Sequence, residues 1–407
     1  MNIDNIRANN VNIKDPIEIA NNFNDFFASI GDDIVKKIPA TKKNHSDFPF
    51  INIDSEFKFK EIYTDNVSNI IKNFEPKTSC DLLGFNTKLL KECATYLLHP
   101  ITHLINRSLV EGVFPCNLKV SRTVPIYKGG DSRDMANYRP ISCLPILSKI
   151  YKKIVFNQLY NYLTVNKILS PSQFGFQPGK GTIHPLISML NYIANAFNNN
   201  KFVVAVFLDL SKAFDLVRHD ILLDKLKRIG LDNISIDWFT SYLSNRQMYT
   251  SINGVLSTKA NNLTRSVAQG SILGPLLFLI FINDLPISNL LDSFIYADDT
   301  SALTSGTDIN ETGLFVNEQL QKLSSWLRSN ELCINSNKTK IMVFSNKKFI
   351  PDFLFVLNCN DVDAPLDPNL IMPLECIKNS FSTPALKILG VFMDEHLTFS
   401  YHVKKNH

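Results

Sequence analysis

The residues best equipped for chemistry are three aspartates. Asp298 and Asp299 stand side by side in the run IYADDTSALT, with apolar, strand-forming residues before and after them. Adjacent side chains on a continuous strand point to opposite faces, so a regular strand could not bring both carboxylates to one site. A tight turn can, and Asp tolerates the backbone angles that turns demand. The pair reads either as a polar turn or as a hairpin tip that seats divalent cations. Asp209 sits near the end of FVVAVFLDL (Phe202 to Leu210), which is apolar almost throughout, as expected of a strand buried on both faces. A carboxylate there is costly unless paired or bound to metal. It reads as the N-cap of a helix starting near Ser211 or as a metal ligand. On adjacent strands of an antiparallel sheet, the three carboxylates could hold two Mg²⁺ ions about 3.5–4 Å apart, the geometry of nucleotidyl transfer.

The elements that must carry these residues are a mixture of helices and strands. Asp15-Pro16 marks a helix start, with apolar residues at helical spacing from Ile19 to Ile38. Lys42 to Ser55 is a polar linker. A second helix carries Val67, Ile70, Ile71 and Phe74, and a third runs from Thr87 toward Glu111, with Pro100 expected to kink or split it. Arg122 to Tyr127 reads as a strand entering the turn Lys128-Gly129-Gly130-Asp131. Further helices follow over Ile146 to Leu163 and through Leu186 to Phe197. Beyond Asp209 come a helix closed by Gly230, strands over Gln247 to Asn253 and Leu263 to Val267, and a buried helix opened by Gln269-Gly270-Ser271. A helix from Ile309 to Arg328, strands Glu331 to Ile334 and Lys340 to Phe344, and a last strand from Lys387 to Met393 complete the pattern. Without a regular βαβ repeat, the class is α+β.

Composition narrows the options. A chain of 407 residues exceeds one ordinary core, so two or three subdomains are expected. A net charge of +4 does not identify a nucleic-acid binder, but Lys119 to Lys153 holds eight Lys/Arg against two Asp, either a phosphate-facing surface or a solvated face. Seven scattered cysteines form no CxxC pair, which suggests reduced thiols in an intracellular compartment, the nucleus or cytoplasm, and argues against a zinc site. The longest apolar run, Ile272 to Ile282, is too short to span a bilayer, so no membrane association is expected.

FLDLSKAFD (Phe207 to Asp215), AQGSILGPLLFLIFINDLP (Ala268 to Pro286) and FIYADD (Phe294 to Asp299) resemble the palm motifs of reverse transcriptases, in the wording of non-LTR, jockey-like retrotransposon polymerases. VPIYKGGD, NYRPISCLPILSKI and FGFQPGKGT resemble the family's finger segments. WLRSNELCINSNKTKIMVFS and LKILGVFMDEHLTF resemble its later palm and primer-gripping segments. The resemblance implies a right-hand polymerase. Residues 1–110 would be a helical extension, 111–200 fingers, 201–345 palm, and 346–407 an irregular segment with a primer-grip strand and the start of a thumb. It implies RNA-directed DNA synthesis on an RNA template from a DNA primer, with dNTPs and two Mg²⁺ ions (Mn²⁺ as a substitute). Asp209 and Asp298 would bridge the metals and Asp299 assist. Phe214 would stand against the sugar and exclude a ribose 2′-OH, although core packing explains it equally. Gln269 and Gly270 would line the incoming nucleotide, with Lys128 and Arg139 on its triphosphate. Lys340 would serve the leaving pyrophosphate or be a solvated strand-end lysine. Arg122, Tyr296, Leu389 and Gly390 would meet primer or template.

Some positions depart from the family's pattern. Ala268 and Gln177 replace a usual proline and arginine. No endonuclease constellation stands in residues 1–110, and little thumb is expected before His407, as in a fragment of a longer protein. Two other readings remain open: a domesticated copy that binds RNA without synthesis, and an RNA-dependent RNA polymerase, against which Phe214 counts.

Overall fold

The computed structural model describes residues 3–406 except 9–10, 52, 79, 83, 269, 348–351, 361–366 and 378–384. The chain divides into two compact units, each assembled from separated segments: residues 1–36, 51–168 and 214–281 form one, and 37–50, 169–213 and 282–407 the other.

In the first unit, a mixed sheet runs in the order Tyr138–Cys143, Val120–Tyr127, Arg246–Ile252, Val255–Leu256, with Asn261–Leu263 also paired to Arg246–Ile252. The helix Pro16–Val35 starts where the Asp-Pro signal placed it, Asp15 Oδ1 accepting from the amides of Ile17 (3.0 Å) and Glu18 (2.9 Å). It buries Ile19, Phe23 and Phe27 against Tyr138, Met248 and Ile252. The expected third helix is two, Thr87–Glu92 and Ala94–Glu111. The break falls at Cys93, and Pro100 sits inside the second helix, where it removes one backbone donor without ending the element. Gly112 closes that helix with φ +66°, its backbone against Ile234 O. The basic stretch is only partly a surface. Lys152 is 1% exposed on the helix Ile146–Val165, in the same row as buried Ser148, Val155 and Leu159, and Lys119 is 9% exposed.

The second unit is a five-stranded sheet in the order Glu375–Ile377, Lys340–Phe344, Phe202–Leu208, Asp299–Gly306, Asp292–Tyr296, antiparallel except between the first two. The apolar run places Phe202–Leu208 at the centre. Val203 and Ala205 pack with Leu303, Met342 and Phe344 under Leu186, Met189 and Ile193 of the helix Ile183–Asn198. Val204 and Val206, on the other face, are buried too, and the helix Ile309–Ser329 packs on this strand and on Asp299–Gly306. Glu331 to Ile334 is not a strand; only Ile334 bridges, to Leu210. The expected last strand is a hairpin, Leu386–Ile388 and Val391–Met393, because Leu389 (φ 47°) and Gly390 (φ 93°) both take positive φ at its turn. Among the described residues no helix is long and apolar enough to cross a membrane.

Candidate active site

Asp298 and Asp299 lie at the end of the hairpin Asp292–Tyr296 and Asp299–Gly306, in which Tyr296 pairs with Asp299 and Ala297-Asp298 form the turn. Ala297 takes φ +60°, a conformation that a two-residue hairpin turn favours at its first position and that glycine usually supplies. A non-glycine residue held there is strained, and the surroundings must hold it. They do so through the segment Ser172 to Gly175. Gln173, 3% exposed, accepts from the amides of Ala297 (3.0 Å) and Gly175 (2.7 Å) through Oε1 and donates from Nε2 to Ala297 O at 3.4 Å. The backbone adds Phe174 N to Ile295 O (2.7 Å) and Ile295 N to Ser172 O (2.8 Å). A Cβ on Gly175 would fall 2.2 Å from Ala297 N, so only glycine fits beneath the turn. Gln173 has no place in the motif reading. Only its position one residue ahead of Phe174-Gly175 could have drawn notice to it.

Asp209 follows the central strand. Thr300 pairs with Leu208 at the end of the ladder, so Asp209 and Asp299 are the residues next to that pair, and the charge of Asp209 bears on Asp299. The strand end is clasped by a later segment: Asn335 N donates to Asp209 O at 2.8 Å, Ser211 N to Cys333 O at 2.8 Å, and Asp209 N to Thr339 Oγ1 at 3.3 Å. Partial burial, then the charges of Asp298 and Asp209, push the Asp299 carboxyl up to about 6. Its side chain still meets solvent, and with that value the carboxyl is mostly ionised at pH 7. Repulsion among neighbouring carboxylates is relieved by a divalent cation, and this donor set suits a hard, oxygen-seeking ion. Among the described residues no three Asp, Glu, His or Cys side chains are already drawn in as a ligand set. The aspartates would have to close on a bound ion.

Two lysines stand close to the end of the central strand. Lys338 Nζ lies 3.9 Å from Asp209 Oδ2, both side chains open to solvent. Lys340, two residues on, pairs instead with Glu375 on the neighbouring parallel strand. Tyr296 is half-buried, and Leu389 and Gly390 form the hairpin turn described above.

The remaining candidates belong to the first unit. Along Val120–Tyr127, Ser121, Thr123 and Pro125 are buried, while Val120, Arg122, Val124 and Ile126 on the other face are half-buried or exposed. Ile126 pairs with Arg139, so strand alternation puts Arg122, Lys128 and Arg139 on one face of the ribbon. Lys128 and Arg139 are exposed there, and Arg122 Nη2 donates to Cys80 O at 3.3 Å. Phe214 stacks one face on buried Phe278, centroids 4.3 Å apart, and keeps partial exposure. Core packing thus accounts for part of this ring and leaves the rest accessible. Gly270 has φ +92°, and a Cβ there would come within 3.2 Å of Ser142 O. Gln269 lies outside the described residues.

Residues 126–393 match the family model described as reverse transcriptase (RNA-dependent DNA polymerase). The chain is 30% identical over 354 residues to a probable RNA-directed DNA polymerase from transposon BS of Drosophila melanogaster, a span of 85% of this chain and 37% of that protein. It is 31% identical over 351 residues to the RNA-directed DNA polymerase from mobile element jockey of the same species, 83% of this chain and 36% of the relative. A further similarity, 28% over 183 residues, is to the Pol polyprotein of a type-1 retrotransposable element R2 of Popillia japonica, covering 45% of this chain and 25% of that one. The chain therefore spans little more than a third of the length of these two Drosophila relatives.

Proposed function

The chain belongs to the reverse transcriptase family, and on that premise we propose that it extends a DNA primer on an RNA template by nucleotidyl transfer, in the service of a non-LTR retrotransposon. The observation that carries this reading is that Asp209 and Asp299 adjoin the paired residues Leu208 and Thr300 at a braced Asp298-Asp299 turn. In this reading the sheet of the second unit is the palm and the basic ribbon of the first belongs to the fingers.

Asp209, Asp298 and Asp299 would hold two divalent cations, Mg²⁺ being the ion we assign. When bound, they lower the pKa of the primer 3′-OH and neutralise charge on the phosphate under attack. The protein's own part is placement. Lys128 and Arg139, exposed on one face, suit the triphosphate oxygens as charged donors. Phe214, anchored by Phe278, offers an edge that a 2′-OH would meet. Lys338, beside Asp209, takes the pyrophosphate-facing part that the sequence suggested for Lys340, whose charge Glu375 already engages.

The test is primer extension on an RNA template with dNTPs and Mg²⁺. Asp209→Asn and Asp298→Asn are each expected to abolish extension while RNA binding persists, with Asp299→Asn less severe. Extension at the wild-type rate by either of the first two variants overturns the assignment.

A further inference from the structure

Three segments of the first unit meet at the C-terminal end of the helix Pro16–Val35. Phe214 to Arg218 and Arg265 to Val267 run as a short ladder. Val267 N donates to Phe214 O at 3.0 Å, Ser266 N donates to Val217 O at 3.0 Å, and Arg218 bridges Arg265. His219 Nε2 lies 2.9 Å from Ser266 O. The helix closes this ladder from the side with two consecutive residues. A Cβ on Gly31 would sit 2.8 Å from Asp215 O and 3.5 Å from Arg265 Cδ, so glycine is what lets the helix come this close. Asp32 Oδ1 accepts from Arg265 Nε at 2.8 Å, and its Oδ2 lies 3.5 Å from Thr264 Oγ1. Earlier turns of the helix hold the chain leading into the ladder: Asn21 accepts from Thr258 N (2.8 Å), Asn24 donates to Lys259 O (2.9 Å), and Asp25 accepts from Asn261 Nδ2 (2.8 Å).

Residues that the polymerase reading gives to the incoming nucleotide stand at or near the ends of both rails of the ladder. Phe214 begins one, and Gly270 stands three positions beyond the end of the other. We infer that Gly31 and Asp32 are positioning residues for nucleotide selection: the helix Pro16–Val35 fixes the spacing between the Phe214 segment and the Gly270 loop. The inference rests on the proposed function. An ion pair whose acid is 46% exposed contributes little to global stability, so its removal should shift the ladder and leave the fold intact. Small displacements of groups that orient a substrate are costly to binding in the reactive pose.

The full chain is assayed with Mg²⁺, an RNA template and an annealed DNA primer. Asp32→Ala is expected to raise KM for dNTPs about five- to tenfold, to leave kcat within about twofold, and to reduce the preference for dNTPs over ribonucleotides. Arg265→Ala should do the same, and the charge swap Asp32→Arg with Arg265→Asp should recover part of the loss. An unchanged KM, or a loss confined to kcat, overturns the inference. A wild-type chain that extends no primer counts against the polymerase reading, and hydrogen exchange then decides the positioning separately. In Asp32→Ala the amides of Ser266 and Val267 should exchange faster; unaltered protection overturns the brace whatever the chain catalyses.

Discussion

Lys152 offers the sharpest quantitative test of how this fold is balanced. It is buried in the helix Ile146–Val165, and burial, then the positive charges of Arg246 and Lys149, hold its ammonium well below the ordinary value of 10.5. Arg246 is itself 3% exposed, with Nη1 buried and without a hydrogen-bond partner. The unfolded chain carries the Lys152 proton up to pH 10.5, while the folded chain releases it earlier. Stability therefore rises with pH, by about 1.36 kcal/mol per unit, from the depressed folded value up to 10.5, and is lowest below that window. Giving up the proton is always open to the folded chain. At pH 7 it lies three and a half units below 10.5, which caps the electrostatic penalty at about 5 kcal/mol. Lys152→Met keeps an unbranched side chain of similar length and removes that penalty. Urea titrations of wild type and variant, followed by fluorescence of Trp238 in the same unit, should show the variant more stable by up to about 5 kcal/mol at pH 7. The gain should be smaller at pH 10 than at pH 7. No gain at pH 7, or a gain independent of pH, would refute the reasoning.

Other perturbations address the site. Gln173→Ala strands the buried amides of Ala297 and Gly175 and releases a strained turn; at about 1–3 kcal/mol per unsatisfied donor it should lower the melting temperature and slow extension by more than tenfold. A variant with normal kcat would show that the hairpin holds its shape unaided. Lys338→Ala should lower kcat more than KM, whereas Lys340→Ala should act mainly on stability through the loss of its Glu375 pair; the reverse order in steady-state kinetics would return the role to Lys340. Phe214→Ala should admit ribonucleotides, read as incorporation from an NTP mixture. It should also cost stability through the stack on Phe278, so discrimination and melting temperature are measured together.

What was legible in the sequence depended on how locally each feature is determined. The strand Phe202–Leu208 announces itself because burial on both faces demands an unbroken apolar run. The hairpin at Asp298-Asp299 shows in two apolar stretches flanking a polar pair, and the helix at Pro16 in its Asp-Pro cap. Less could be read where the deciding partner is distant. Gln173 is an unremarkable polar residue until folding brings it under Ala297, 124 positions away. Lys338 and Lys340 are equivalent in sequence, and only the pairing of Lys340–Phe344 with Glu375–Ile377 separates them. The basic stretch looked like one surface because charge counting ignores phase: helical phase turns Lys152 inward, while strand alternation leaves Arg139 out. Nothing in the pattern marked Gly31 or Asp32, whose roles are set by a segment more than two hundred residues later.

The central position of Phe202–Leu208 also governs how the protein is made. Both strands that flank it lie far downstream, so during synthesis an apolar strand bearing Asp209 leaves the ribosome seconds before either neighbour exists. For that interval it presents two open edges, the condition that invites pairing with other chains. Translation that halts between Gly306 and Lys340 would complete the acidic hairpin and leave the other flank of the Asp209 strand bare. Interrupted products of this gene are thus expected to be aggregation-prone rather than partly active, and the segment Lys340–Phe344 is where the nascent chain becomes safe.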